Sequence, residues 1–246
     1  GLATGIKPFS NIMLNHDEWT LTEEGFAASA TAGVLAQNIA NWFTGGQPGK
    51  FLAYTNTVSG SVATAFTGPS LRAAMESAGH TWDVSSTVSI TLETLMEYDA
   101  VFLCANIVDN QVLIDYVNAG GSVYISAGTR INGSGADIEA GWYNTFLNEF
   151  GLELGYPYNG IGGTLPVEST HPIFYGVATL YYNNGNPVIV LNPSDPRTTV
   201  VNRYQDKDLM ALYSRSTLAG TTTLNGSATD DGLPSSTLDY TWSMVD

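Results

Sequence analysis

From Asn11 to Ser126 the chain alternates short apolar runs with stretches of helical periodicity. Asn11-Ile12-Met13-Leu14-Asn15 is the first strand signal, and polar His16-Asp17-Glu18 follows it. Between Ala27 and Phe43 the residues Leu35, Ile39, Trp42 and Phe43 recur at helical spacing, which predicts one helix stopped by Gly45-Gly46-Gln47-Pro48-Gly49. Phe51-Leu52-Ala53-Tyr54 is a second strand. Pro69 suits the first position of a helix whose face carries Leu71, Ala74, Met75 and Ala78, with Gly79 closing it. Thr81 to Val84 is a third strand, and a short helix around Leu92 to Tyr98 precedes the fully apolar Ala100–Cys104. Asp109 can cap a helix bearing Val112, Leu113, Tyr116 and Val117, Gly120-Gly121 ends it, and Ser122–Ser126 is a fifth strand. Continuous apolar strands separated by amphipathic helices predict an α/β fold, a mainly parallel sheet with helices on both faces.

After Ser126 the rhythm weakens. Gly128 to Gly141 reads as a Gly-rich loop, Trp142 to Phe150 as a helix, and Gly155 to Thr170 as a long irregular stretch. Pro187–Leu191, Thr198–Tyr204 and Leu209–Tyr213 read as short strands, the last two forming a hairpin around Gln205–Asp208. From Leu218 onward Thr, Ser, Gly and Asp dominate and no helix signal remains.

Charge narrows the function classes. Eight Lys and Arg oppose 23 Asp and Glu, a formal net charge of −15. Such a surface repels phosphate backbones, so nucleic acid and anionic membrane are poor partners. Charged residues make up 13% of the chain, against roughly 25% in an average soluble domain. That profile is commoner in secreted bacterial proteins than in cytosolic enzymes; the expectation is an extracellular or cell-surface protein, its signal peptide either never present or, as expected here, removed. No apolar run reaches the roughly 20 residues of a spanning helix, so membrane insertion is not expected. The single cysteine, Cys104, rules out an intrachain disulfide and any multi-cysteine zinc site.

Four segments carry a resemblance: Phe51–Tyr54, Leu95–Leu103, Tyr116–Gly128 and His171-Pro172-Ile173-Phe174-Tyr175-Gly176-Val177. In order and spacing, residues 50–190 resemble the class I glutamine amidotransferase-like superfamily, in its degenerate, ThuA-like branch. The resemblance implies a three-layer, flavodoxin-like core over residues 1–217. In catalytic members a Cys occupies the tight turn after the strand matching Val123–Ser126. Here Ser126 stands there, followed by Ala127 and Gly128. His171 precedes a proline as the catalytic His of some members does, but the acidic residue expected two places later is Ile173. Amidotransferase activity is therefore not implied. Thr223–Pro234 followed by Tyr240-Thr241-Trp242 resembles the start of a PKD-like β-sandwich, which implies a truncated domain over 218–246 and a longer, modular parent.

Ligands of open α/β sheets sit at the carboxyl ends of the strands. Those ends carry His16, Asp17, Glu18, Asn56, Asn106, Ser126, Thr129 and Arg130, as cleft residues or as plain turn and cap residues. His16–Glu18 offers one or two hard-metal ligands. Equally, Asp17 or Glu18 caps a helix with Trp19 packed beneath. Ser126 and His171 are the one nucleophile–base pair the resemblance suggests, without a G-x-S-x-G elbow. Cys104 reads as a core thiol. Asp230 and Asp231, with Asp239, offer oxygen ligands for calcium. Tyr156, Tyr158, Tyr181 and Tyr182 are either a carbohydrate-contacting surface or covers for the core. The expectation is a non-catalytic binding or scaffold module needing no cofactor, unless calcium serves, with other domains of the same chain, a carbohydrate or a small molecule as partners. The alternatives are a serine hydrolase using Ser126 and His171, and a carbohydrate- or calcium-binding receptor domain.

Overall fold

The computed structural model describes residues 9–55, 66–104, 106–128 and 135–216. Its principal sheet has strands β1 (Phe9–Asn15), β2 (Lys50–Tyr54), β3 (Thr81–Ser85), β4 (Ala100–Cys104) and β5 (Ser122–Ser126), followed late in the chain by β10 (Thr198–Tyr204) and β11 (Lys207–Ser216). The order is β10-β11-β1-β5-β4-β2-β3. β1 to β5 run parallel, whereas β11 lies antiparallel to β1 and β10 antiparallel to β11. The alternation of apolar runs and helices therefore gives the mainly parallel α/β sheet it predicts, with the hairpin added at one edge.

Every residue of β4 and β5 is buried, because both faces of these central strands are covered. Met13, Phe51, Ala53, Phe102 and Tyr124 join one apolar cluster with α2 (Ala32–Thr44) and α3 (Pro69–Ser77). Ile12, Leu14, Leu52, Val101, Leu103, Val123 and Ile125 join a second with α4 (Leu92–Leu95), α5 (Asn110–Asn118) and α6 (Ala136–Glu149). The period-two alternation of each strand thus divides its residues between the two clusters. Phe102 is central to the first: its ring stacks on Tyr124 at 4.9 Å and meets Trp82 edge-on at 4.9 Å. The capping residues act as expected. Pro69 opens α3, Asp109 accepts from the Gln111 N–H at 2.9 Å, and Gly45 ends α2 at φ 62°.

Three local expectations need correction. Ala27–Phe43 is two helices, α1 (Glu23–Ala28) and α2, because Ser29 is extended and Thr31 turns its hydroxyl to the Thr179 carbonyl at 2.8 Å. The 155–170 stretch contains β7 (Gly162–Pro166), paired antiparallel with β8 (Thr179–Asn183); its two glycines and mostly exposed residues hide the strand pattern. The 128–141 stretch, read as loop, already holds the first turns of α6 from Ala136. A further small sheet pairs β6 (Leu152–Leu154) with β9 (Val188–Val190). No helix among the described residues is long and apolar enough to cross a membrane.

Candidate functional site

The parallel register sets Asn15, Ser126 and Cys104 in one row at the carboxyl edge of β1, β5 and β4. Beyond Asn15 the chain turns sharply into a short 3-10 segment, Glu18–Leu21. The Asn15 amide holds that turn, reaching the Asp17 carbonyl at 2.9 Å, the Thr20 hydroxyl at 3.0 Å and the Tyr124 hydroxyl at 3.0 Å.

The turn carries buried charge. His16 and Asp17 are fully buried and Glu18 nearly so. Asp17 caps the 3-10 segment, accepting from the Trp19 N–H at 3.3 Å, and its other oxygen accepts from the Asn183 N–H at the end of β8. The Glu18 carboxyl interacts with that of Asp17. Burial pushes Asp17 up to about 7; the Asn183 and Trp19 N–H groups and Glu18 oppose the shift, and the nearby Glu139 charge adds to it.

Glu139, on the first turns of α6, completes an acidic cluster. It is 1% exposed, and its Oε2 accepts from the Gly128 N–H at 2.8 Å. Gly128 is the pivot: a Cβ there would fall 1.4 Å from Glu18 Oε2 and 2.9 Å from Asp17 Oδ1. Three carboxyl groups from two segments therefore converge on one backbone position that only glycine can fill. Tyr158 lies close by, its hydroxyl raised by burial and by the fields of Glu139, Glu18 and Asp137.

His16 points elsewhere. Its ring lies 4.7 Å from that of Tyr182, and its Nδ1 is 3.1 Å from the Asn159 amide nitrogen. Its carbonyl accepts from the Asn186 N–H at 3.0 Å, beneath Gly185, where a Cβ would fall 1.7 Å from that oxygen. Burial alone pushes His16 down to about 3, so the imidazole is neutral. If Asn159 donates to Nδ1, Nε2 carries the proton, and that atom has no hydrogen-bond partner among the described residues.

The end of β5 is quiet. Ser126 is 1% exposed and its Oγ has no hydrogen-bond partner among the described residues. His171 is engaged elsewhere, capping the 3-10 turn Pro172–Phe174 with Nδ1 accepting from the Ile173 N–H at 3.3 Å. That turn is anchored to α2, where the Asn38 amide donates to the Ile173 carbonyl at 3.0 Å. The half-buried His171 is shifted down by desolvation. Cys104 is a buried core thiol, and its N–H donates to Asn106 Oδ1 at 3.0 Å. The buried Asn106 in turn donates its N–H to the Tyr143 hydroxyl at 2.9 Å.

The structure thus brings His16, Asp17, Glu18, Asn106 and Ser126 to the strand-end region and leaves Ser126 and His171 without a mutual hydrogen bond. Asn56, Thr129, Arg130, Asp230 and Asp231 lie outside the described residues. Among the described residues no group of three or more His, Cys, Asp or Glu is arranged to hold a metal ion. The four tyrosines do not share one surface. Tyr182 is buried with its hydroxyl accepting from Asn202 at 2.9 Å, whereas Tyr156 is 67% exposed. The sequence reading missed Glu139, hidden in the supposed loop, and Asn159, Asn183 and Asn186. The Asn183-Asn184-Gly185-Asn186 run announces a turn, and Asn184 takes φ 63° there, but nothing in the run tells that it closes over His16. No family model, curated protein or solved structure matches this chain.

Proposed function

We propose that this protein is a non-catalytic binding module, a degenerate relative of the class I glutamine amidotransferases with their flavodoxin-like layering, and that its ligand site is the carboxyl edge of the parallel sheet. The observation that carries this reading is the state of Ser126. Its hydroxyl stands where the resemblance expects a thiolate, without the imidazole that would activate it, while His171 serves as a helix cap. The neighbouring polar groups are buried, and two of them, Ser126 Oγ and His16 Nε2, lack hydrogen-bond partners among the described residues. Buried polar atoms of this kind are costly to leave unpaired, and a ligand rich in hydroxyl groups would pair them. A carbohydrate is the favoured class, with exposed Tyr156 and partly buried Tyr158 beside the acidic cluster as contact residues. Calcium is the second candidate ligand, through oxygens of Asp230 and Asp231. The strongly acidic, low-charge composition supports a secreted or cell-surface setting, with the 218–246 segment joining the module to further domains of a longer chain.

Thermal-shift screening of the full chain against a glycan panel and against calcium tests the reading. A rise in midpoint with a glycan, lost on Tyr158→Ala, is the expected result. A flat response to both panels rejects it.

A further inference from the structure

A second feature lies at the opposite edge of the sheet from β3. β10 is the end strand there, and none of the turn and loop backbone hydrogen bonds among the described residues ends on residues 199–204. The N–H and C=O groups of residues 199–204 that face away from β11 therefore have no backbone partner among the described residues. They open into a groove of about 810 Å³ whose other walls are Glu168–Thr170 and β9, itself the end strand of its two-stranded sheet. Asn202 lines the groove at 3% exposure. Its amide nitrogen is spent on the Tyr182 hydroxyl, while its Oδ1 accepts nothing among the described residues. A buried acceptor of that kind gains from an arriving N–H donor. Arg203 is already paired with Asp208, which leaves the exposed Glu168 as the groove's charge without an ionic partner among the described residues. The whole chain adds a formal charge of −15.

We propose that this groove docks an extended, lysine- or arginine-bearing segment of a partner chain, which pairs with the free edge of β10 as an added strand. The Thr198 N–H is already given to the Asp195 carbonyl, so the Thr198 carbonyl and the backbone of Thr199–Val200 supply the affinity, and the β-branched side chains there suit an added strand. The register shift between Val200 and Asn202 ends the regular edge and sets the limit of the pairing. Glu168 supplies the preference for a basic segment, and the acidic field of the chain speeds the encounter. This docking is independent of the strand-end site, so either can fail without the other.

The test uses the full chain, isotopically labelled for amide NMR, and three short blocked peptides. One alternates lysine and valine, one is the same peptide with alternate amides N-methylated, and one carries glutamate in place of lysine. The lysine peptide should saturate shifts confined to Thr198–Asn202 and the Glu168–Thr170 wall. N-methylation on the pairing edge should weaken it at least about tenfold, because the backbone donors are lost. Glu168→Lys should weaken the lysine peptide at least about fivefold and strengthen the glutamate peptide. Three results overturn the proposal: no saturation by about 1 mM peptide, a weak-binding limit; equal binding of the N-methylated peptide; or shifts on β10 that depend on protein concentration alone, which would make a second copy the occupant.

Discussion

Replacing His16 with Asn and, separately, Asp17 with Asn should tilt the pH dependence of folding stability in opposite senses. The Asp17 carboxyl lies at about 7 in the fold against an ordinary 3.8, so between those values the folded state holds a proton that the unfolded chain has released. Stability from this group is full at low pH and is lost as pH rises through the window. His16 lies at about 3 against an ordinary 6.5, so between those values the unfolded chain binds a proton that the folded state refuses. Stability from this group rises with pH over the same window. One proton of difference is worth about 1.4 kcal/mol per pH unit. Between about pH 4.5 and 6 the two slopes therefore oppose each other in the native protein. Asp17→Asn should make the slope more positive by about 1.4 kcal/mol per pH unit, and His16→Asn more negative by the same amount. His80 and His171, both lowered chiefly by burial, tilt all three proteins alike and drop out of the comparison. So does any pH-independent packing loss, since Asn at position 16 retains an acceptor for the Asn159 amide. The assay is urea unfolding followed by tryptophan fluorescence across that pH range at fixed ionic strength. Stability–pH lines for both variants parallel to the native line would refute the burial argument.

Other changes follow from the same packing. Ser126→Ala removes a buried hydroxyl that has no partner among the described residues, so it should leave stability unchanged or raise it by up to about 1 kcal/mol; a loss measured by urea unfolding would mean that the hydroxyl is paired in solution. Gly128→Ala drives a methyl group into the Glu18 and Asp17 carboxyls and should cost about 2 kcal/mol or more by the same measurement. Phe102→Ala opens a cavity among Tyr124, Trp82, Phe51 and Phe66 and should cost about 3–5 kcal/mol.

The α/β sheet was readable because Ala100–Cys104 and Ser122–Ser126 are apolar on both faces and the helices between strands keep a clear period, signals that arise from burial on two sides. Caps at Pro69, Asp109 and Gly45 were readable because their chemistry is local. β7 was not, since Gly162-Gly163-Thr164 shows no alternation and is held by pairing with β8 rather than by a buried face. The site was legible only in outline. His16, Asp17 and Glu18 stand out after β1, yet three adjacent polar residues suggest an exposed turn. What buries them is remote: β8 through Asn183, α6 through Glu139, and the 185–186 turn over the His16 carbonyl. Such contacts leave no periodic trace, and Gly128 is indistinguishable in sequence from any other loop glycine.

The most direct test of the central claim is intact-mass spectrometry of the full chain after prolonged exposure to a serine-directed fluorophosphonate. An unmodified mass is the predicted result, because no base stands beside the Ser126 hydroxyl to activate it. An adduct that maps to Ser126 and disappears in His171→Ala would contradict it, and would make this protein a serine hydrolase instead.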